Sequence, residues 1–332
     1  MNAIAANIAG NRWTRTFGWL LRREYWENRG GFLWAPLITG GITVFLSSLL
    51  AATVAVQARR EPPGAITDLA GYLDAVGAAG DGLLIAGTSM TAVVLGFVVF
   101  FYALGSLYDD RRDRSALFWK SMPVSDTQTV LSKAAWALLL APLLSAVIGL
   151  LVGVVLWLIA AVAMVAGGLP HASALFTHSH PFTVAGRMLA TVPLDTLWML
   201  PAVGWLMFCS ALVRSKPFLW AALVPVLGCV MTTFVGFIAN NVLAGPALPL
   251  GKLWYVAVYR GLMSVMPGTR NLRELENMSG DGIDGPAQLV GRILDHSSNW
   301  NAIGTWDLWI GVAVGVAFIA AAIPLRRWRD EA

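Results

Sequence analysis

The sequence predicts an all-α polytopic membrane protein: six transmembrane helices, an N-terminal amphipathic interfacial helix, and a short cytoplasmic helix between the second and third spans. Three observations predict it. Hydrophobic residues make up 57% of the 332 and charged residues only 13%, whereas a soluble domain averages about 25% charged. Apolar runs longer than the roughly 18 residues that define a spanning segment recur along the chain. The Lys and Arg residues gather beside alternate ends of those runs, as the positive-inside rule requires.

Taken in order, residues 1–31 form the N-terminal segment. Trp13, Phe17, Leu20, Leu21 and Tyr25 follow helical spacing, while Arg15, Arg22 and Arg29 recur every seven residues on another side. Such a helix lies flat on anionic lipid. Membrane anchoring and contact with a cytoplasmic subunit both fit the pattern. These residues precede the first apolar run, and that run is as long as a spanning helix rather than a short h-region, so a cleaved signal peptide is not expected.

A single six-helix domain then covers residues 32–325. Its spans are Phe32–Val56, Leu83–Leu107, Ala134–Val165, Leu189–Val213, Phe218–Ala239 and Leu308–Leu325. Each is read as a helix, because an isolated strand cannot satisfy its backbone in lipid, and the alternating segments of a barrel are missing. The third span is long. Residues from Asp126 onward form its first turns, and Pro142 introduces a kink.

With both termini cytoplasmic, fifteen of the 23 Lys and Arg residues fall on the inner side, including Arg326, Arg327 and Arg329 in the tail 326–332. The loop 57–82 and the large loop 240–307 then lie outside. Leu248–Met266 is apolar enough to suggest a seventh span. It carries Lys252 and Arg260, each costing up to about 3 kcal/mol at mid-membrane. It is read as re-entrant or interfacial, with Trp254, Tyr255 and Tyr259 as interface-seeking residues.

The loop Tyr108–Lys133 is a charged island between two apolar spans. Asp109, Asp110, Arg111, Arg112, Asp113 and Arg114 open it, yet Leu117, Phe118, Trp119 and Met122 crowd its middle. A loop that only reversed direction would not carry four large apolar residues there. The pattern suits a surface helix offered to a soluble partner.

Catalytic chemistry is not evident. Gly245–Leu253 approximates a nucleotide-binding loop, but its glycines are one residue too far apart and Leu253 stands where a hydroxyl would hold Mg²⁺. The chain is therefore not expected to be an enzyme or to hydrolyse ATP by itself. Cys209 and Cys229 lie in apolar spans without metal-ligand spacing. His171, His178 and His180 share one outer loop and read as loop polarity rather than a metal site, so no metal is expected. The net charge of +4 reflects topology, not nucleic acid. Asp195 is the acid well inside an apolar stretch, roughly 9 Å from the outer end of its span by helical rise. It suits a gating role or a satisfied structural acid, at a depth where it reaches interfacial water or pairs with Arg187. Gly149–Gly153 and Gly311–Gly315 are GxxxG pairs, read as intrachain packing.

In these features the chain resembles the permease subunits of ABC-2 type ATP-binding-cassette exporters. The resemblance rests on the charged run Asp109–Arg114, the short helix Ser115–Ser121, the turn Met122-Pro123-Val124-Ser125, and Lys133 opening the next span. Pro123 stops the short helix, and Ser125 or Asp126 caps the next one. The resemblance implies that Asp113, Arg114, Leu117, Phe118, Trp119, Lys120 and Met122 form a cytoplasmic coupling helix seated on a separate ATPase. It further implies two ATPase copies, a second permease (the same chain or another), and membrane lipid as partners. Residence would be in a bacterial cytoplasmic (inner) membrane. ATP and Mg would belong to the ATPase, leaving this chain without a cofactor. The pathway would run between the permeases along the second and fifth spans, making Thr88, Thr91, Phe97, Thr232, Thr233, Phe234 and Asn240 its candidate lining. An ATPase-linked sensor or resistance component is the alternative. A gradient-driven transporter fits less well, because the spans hold almost no midplane charge and no repeated halves.

Overall fold

The computed structural model describes residues 2–60, 64, 66–112, 124–242, 250–266, 268–271, 286–297 and 300–329. No strand occurs among the described residues. Helix α1 (Asn2–Arg29) runs through a π turn (Gly30–Trp34) into α2 (Ala35–Arg60). Next come α3 (Leu69–Gly105) and the single turn α4 (Tyr108–Arg112). The third span is α5 (Asp126–Ala135), a π turn (Trp136–Leu140) and α6 (Ala141–Gly167). It is followed by α7 (Ala174–Thr177) and α8 (Pro181–Leu212). A π turn (Leu219–Leu223) opens α9 (Val224–Val242), then α10 (Leu250–Trp254), α11 (Pro286–Ser297) and α12 (Trp306–Arg329) complete the chain. Six of the helical runs are long and apolar enough to cross a membrane.

The expected spans are all present, but the second extends back to Leu69 and the fourth to Pro181. Capping explains both starts. Asp68 accepts the Gly71 N–H at 3.0 Å ahead of α3. Asp81, buried on α3, accepts the His180 N–H at 2.7 Å and so caps α8 from a neighbouring helix. Ser125, not Asp126, caps α5. It forms a capping box with Gln128.

A sequence rule explains the three π turns that lie within spans. Each is followed, two residues on, by proline: Pro36, Pro142 and Pro225. A proline ring clashes with the carbonyl four residues back and offers it no N–H. Widening the preceding turn relieves that clash. The carbonyls of Phe32, Leu138 and Ala221 thereby lose the N–H that an α-helix would offer them. Helix α8 reaches two of them, Thr196 Oγ1 donating to Leu138 O at 2.7 Å and Trp205 Nε1 to Ala221 O at 2.9 Å. The kink expected at Pro142 thus takes the form of a π turn that α8 supports.

Helix α8 is the centre of the bundle. In its most apolar stretch 56% of residues are buried, against 6% for α2, 11% for α9 and 17% for α12. Glycines let the inner helices touch. A Cβ on Gly87 would meet the Gly153 nitrogen at 2.5 Å, joining α3 to α6, and one on Gly204 would meet the Gly315 carbonyl at 2.5 Å, joining α8 to α12. Both GxxxG pairs therefore pack within the chain. The main core lies where α1, α3, α5 and α8 meet. There Phe32 stacks on Trp136 at 5.3 Å and meets the Tyr102 edge at 4.9 Å; such ring pairs contribute about 0.5–1.5 kcal/mol beyond the buried area.

Residues 250–266 do not cross the bundle. They form α10, a fourth π turn (Tyr255–Arg260) that no proline follows two residues on, and a 3₁₀ turn (Met263–Val265). Arg260 is buried there with its guanidinium 3.7 Å over the Trp198 ring, and it donates to Trp198 O and Asp307 O at 3.1 and 3.3 Å. Burial pushes its pKa below the ordinary arginine value, and Asp307 pulls it back up.

Candidate functional site

Two regions concentrate the polar chemistry, one at each end of the bundle. At the end where α1 finishes and α12 finishes, three acids and three bases come together, and Glu24, Asp110, Lys133 and Arg326 among them are buried. Glu24 shares its face of α1 with Leu20, Leu21 and Tyr25, and that face packs inward, leaving Glu24 fully buried. Lys133, on α5, places Nζ 3.0 Å from Glu24 Oε1 and 3.5 Å from Asp110 Oδ1. The Tyr102 hydroxyl donates to Glu24 Oε2 at 2.7 Å. Asp110 also faces Arg23 and Arg326, each at 3.7 Å, and Arg326 reaches Asp126 at 3.5 Å.

The matching of charges decides whether this network can exist. Each ion taken from water carries a penalty of several kcal/mol that only close, balanced partners offset. Here α1, α4, α5 and α12 contribute alternating signs around one centre. A second clamp lies beside it. Arg111 donates to the carbonyls of Ser210 and Val213, and the Ser210 hydroxyl accepts the N–H groups of Leu107 and Tyr108 at 3.1 and 3.0 Å. Both chain ends that lead into residues 113–123 are therefore fixed to the bundle. Asp113, Arg114, Leu117, Phe118, Trp119, Lys120 and Met122 themselves lie outside the described residues.

Helix α1 turns one face to this network and another outward. Its Trp136 contact is direct, the indole donating to Leu21 O at 2.7 Å. Trp19 and Trp26 are exposed, with Arg22 and Arg29 over their rings at 5.3 and 5.5 Å. An open groove of about 900 Å³ runs from the α1–α2 junction along the end of α3, past Phe97 and Phe101.

The second region is a cavity of about 380 Å³ between α3, α6, α8 and the chain 264–270. Its charged lining is Asp195 and Arg270, 3.6 Å apart. Arg187, one of the two partners open to Asp195 on sequence, instead bonds Asp295 on α11 at 2.5 Å. The folded-back chain supplies Arg270 from 75 positions downstream, a partner that local spacing cannot reveal. Ser145, 1% exposed, also lines the cavity, and its Oγ has no hydrogen-bond partner. A buried hydroxyl left so costs about 1–3 kcal/mol.

The candidate pathway residues are scattered over different environments. Thr88 lines this cavity, its hydroxyl bonded to Leu84 O and Ile85 O. Thr91 is fully buried in the α3–α6 seam, bonded to Gly87 O at 3.1 Å and Thr88 O at 3.0 Å, so it faces no open path within the chain. Phe97 is exposed on the groove, and Thr232 and Phe234 are exposed on α9. Thr233 accepts a hydrogen bond from Trp254 Nε1 at 2.8 Å. The Asn240 side chain lies outside the described residues.

His178 contacts Thr177 Oγ1, while His180 lies 3.6 Å from Asp81. Among the described residues no group of three His, Cys, Asp or Glu side chains is placed to hold a metal ion. Cys209 and Cys229 are both buried and free. No protein-family model, curated protein or solved structure matches the chain.

Proposed function

We propose that this chain is the transmembrane permease subunit of an ABC-2 type exporter, with both termini cytoplasmic in a bacterial inner membrane. It would pair with a second permease and couple to two copies of a separate ATPase. The observation that carries the reading is the network of Glu24, Asp110, Asp126, Lys133 and Arg326, buried but for the partly exposed Asp126. Closure of a soluble ATPase reaches the spans only through cytoplasmic elements, so the element it pushes must be stiffly mounted. The helices on either side of residues 113–123 meet that need: α4 before them and α5 after them share one set of ion pairs with α1 and α12. Force applied there turns α3, α5 and α12 together instead of bending a loop.

Phe118 and Trp119 are the anchors the partner would cover, each contributing about 1.5–3 kcal/mol if fully buried. Arg114 and Lys120 form the rim with Arg112, where solvent screens their contribution. The exposed Trp19 and Trp26, ringed by Arg22 and Arg29, suit the lipid headgroup layer. The exposed apolar face of α9, with Thr232 and Phe234, is where a second permease would complete the pathway.

The test is to purify the chain from its native membrane and measure copurifying Mg-dependent ATP hydrolysis. Replacing Phe118 and Trp119 together by Ala should release the ATPase, or leave its hydrolysis unresponsive to substrate, while the permease still inserts. Copurification with normal substrate response would remove the coupling role from this loop.

A further inference from the structure

The cavity between α3, α6, α8 and the chain 264–270 has the features of a built ligand site. Its volume, about 380 Å³, falls in the range of small-molecule pockets. Most of its wall is apolar, and Met188, Met199 and Met266 give that wall side chains that adapt to more than one shape. Polar groups sit at two separate points. At one, the Asp195–Arg270 pair presents its acid: the Asp195 side chain is 37% exposed and that of Arg270 only 7%. At the other, the Ser145 hydroxyl is buried without a partner. Ser89 and Val93 on α3 line the cavity and are also exposed, which gives it a lateral opening within the apolar belt of the bundle.

We propose that this cavity binds a small amphiphile carrying one amine. The ammonium lies against the Asp195 carboxylate, the apolar body against the methionines, and a polar atom of the ligand meets Ser145 Oγ. An anionic ligand would meet the exposed acid first, with the arginine behind it. The site is lined by residues of one protomer alone. It rests on the exporter reading only for what becomes of the ligand, because binding is measured on the purified chain without any ATPase.

The probe is dansylcadaverine, a fluorescent amine, with neutral N-pentyl dansylamide as its control, titrated into the full chain in lipid nanodiscs. Wild type should bind the amine saturably. Asp195→Asn should weaken the amine by about tenfold or more while leaving the neutral control nearly unchanged. Asp195→Glu should retain amine binding, and Ser145→Ala should weaken both probes by a smaller factor. Ala146→Trp, which fills the cavity, should abolish saturable binding of both; elution profile and thermal midpoint establish which variants are folded. The proposal is overturned if wild type shows no saturable binding, or if Asp195→Asn binds the amine as tightly as wild type. It is also overturned if that variant loses both probes equally, since Asp195 would then only shape the wall.

Discussion

The two ends of the bundle bury charge in opposite ways. Where α1, α4, α5 and α12 meet, each buried acid faces a buried base, and Lys133 and Glu24 are 4% and 0% exposed. At the other end the described Arg–Asp pairs keep an accessible acid: Asp307 with Arg260 is 47% exposed, and Asp295 with Arg187 is 70% exposed. A fully buried, balanced network has one low-energy arrangement, because moving any member strands another. A pair with one solvated partner can separate at little cost. The first end is therefore built to hold its geometry under load, and the second to admit and release.

The largest effect should come from breaking the closed network. Lys133→Met leaves Glu24 and Asp110 facing each other without their shared cation, and should cost about 3–5 kcal/mol. A fall in the thermal midpoint of the purified protein measures it. Combining it with Glu24→Gln removes one stranded charge, so the double variant should recover much of the loss. If the double variant is as unstable as the sum of the singles, the two residues are not coupled and the network is not a unit.

Arg260→Met is the matching experiment at the other end. It removes the donors to Trp198 O and Asp307 O, but the carboxylate it leaves behind already touches water. The loss should be nearer 1–2 kcal/mol. A loss equal to that of Lys133→Met would erase the distinction between the two ends.

Much of the fold is legible in the sequence because membrane spans declare themselves by length and hydropathy. The loop Tyr108–Lys133 stands out for the same reason, as charge where apolar residues are expected. The π turns are legible in retrospect through Pro36, Pro142 and Pro225. The network itself is not, since Glu24 and Lys133 are 109 positions apart and each has an ordinary local explanation. One signal was present: Glu24 interrupts the apolar face of Leu20, Leu21 and Tyr25, and an acid there needs a buried base. Arg326 was hidden by the positive-inside rule, which accounts for its presence without its burial. Asp195 stands out in the sequence for its depth, but its partner Arg270 does not, because nothing in the local spacing points 75 positions downstream.

Between the two ends, α8 supports the kinked third span through Thr196. Thr196→Val should strand the Leu138 carbonyl and cost about 1 kcal/mol. Adding Pro142→Ala restores an N–H that can reach that carbonyl, so the double variant should be more stable than Thr196→Val alone. Additive losses would mean that the π turn does not depend on the proline.

The smallest effect on stability is expected at Thr232. Its hydroxyl bonds only to its own helix, to Gly228 O and Cys229 O at 2.9 and 3.0 Å, and the residue is exposed. Thr232→Trp should therefore leave the thermal midpoint of the isolated chain within about 0.5 kcal/mol of wild type. Its neighbour behaves differently, because Thr233→Trp displaces the bond from Trp254 that ties α9 to the folded-back chain. A protein that is stable as Thr232→Trp yet no longer exports, or no longer pairs with a second permease, places that face of α9 against something outside the chain. Unchanged export and pairing would assign the face to lipid, and the pathway would then have to be sought along α3, where Phe97 and the mouth of the cavity share one side of the helix.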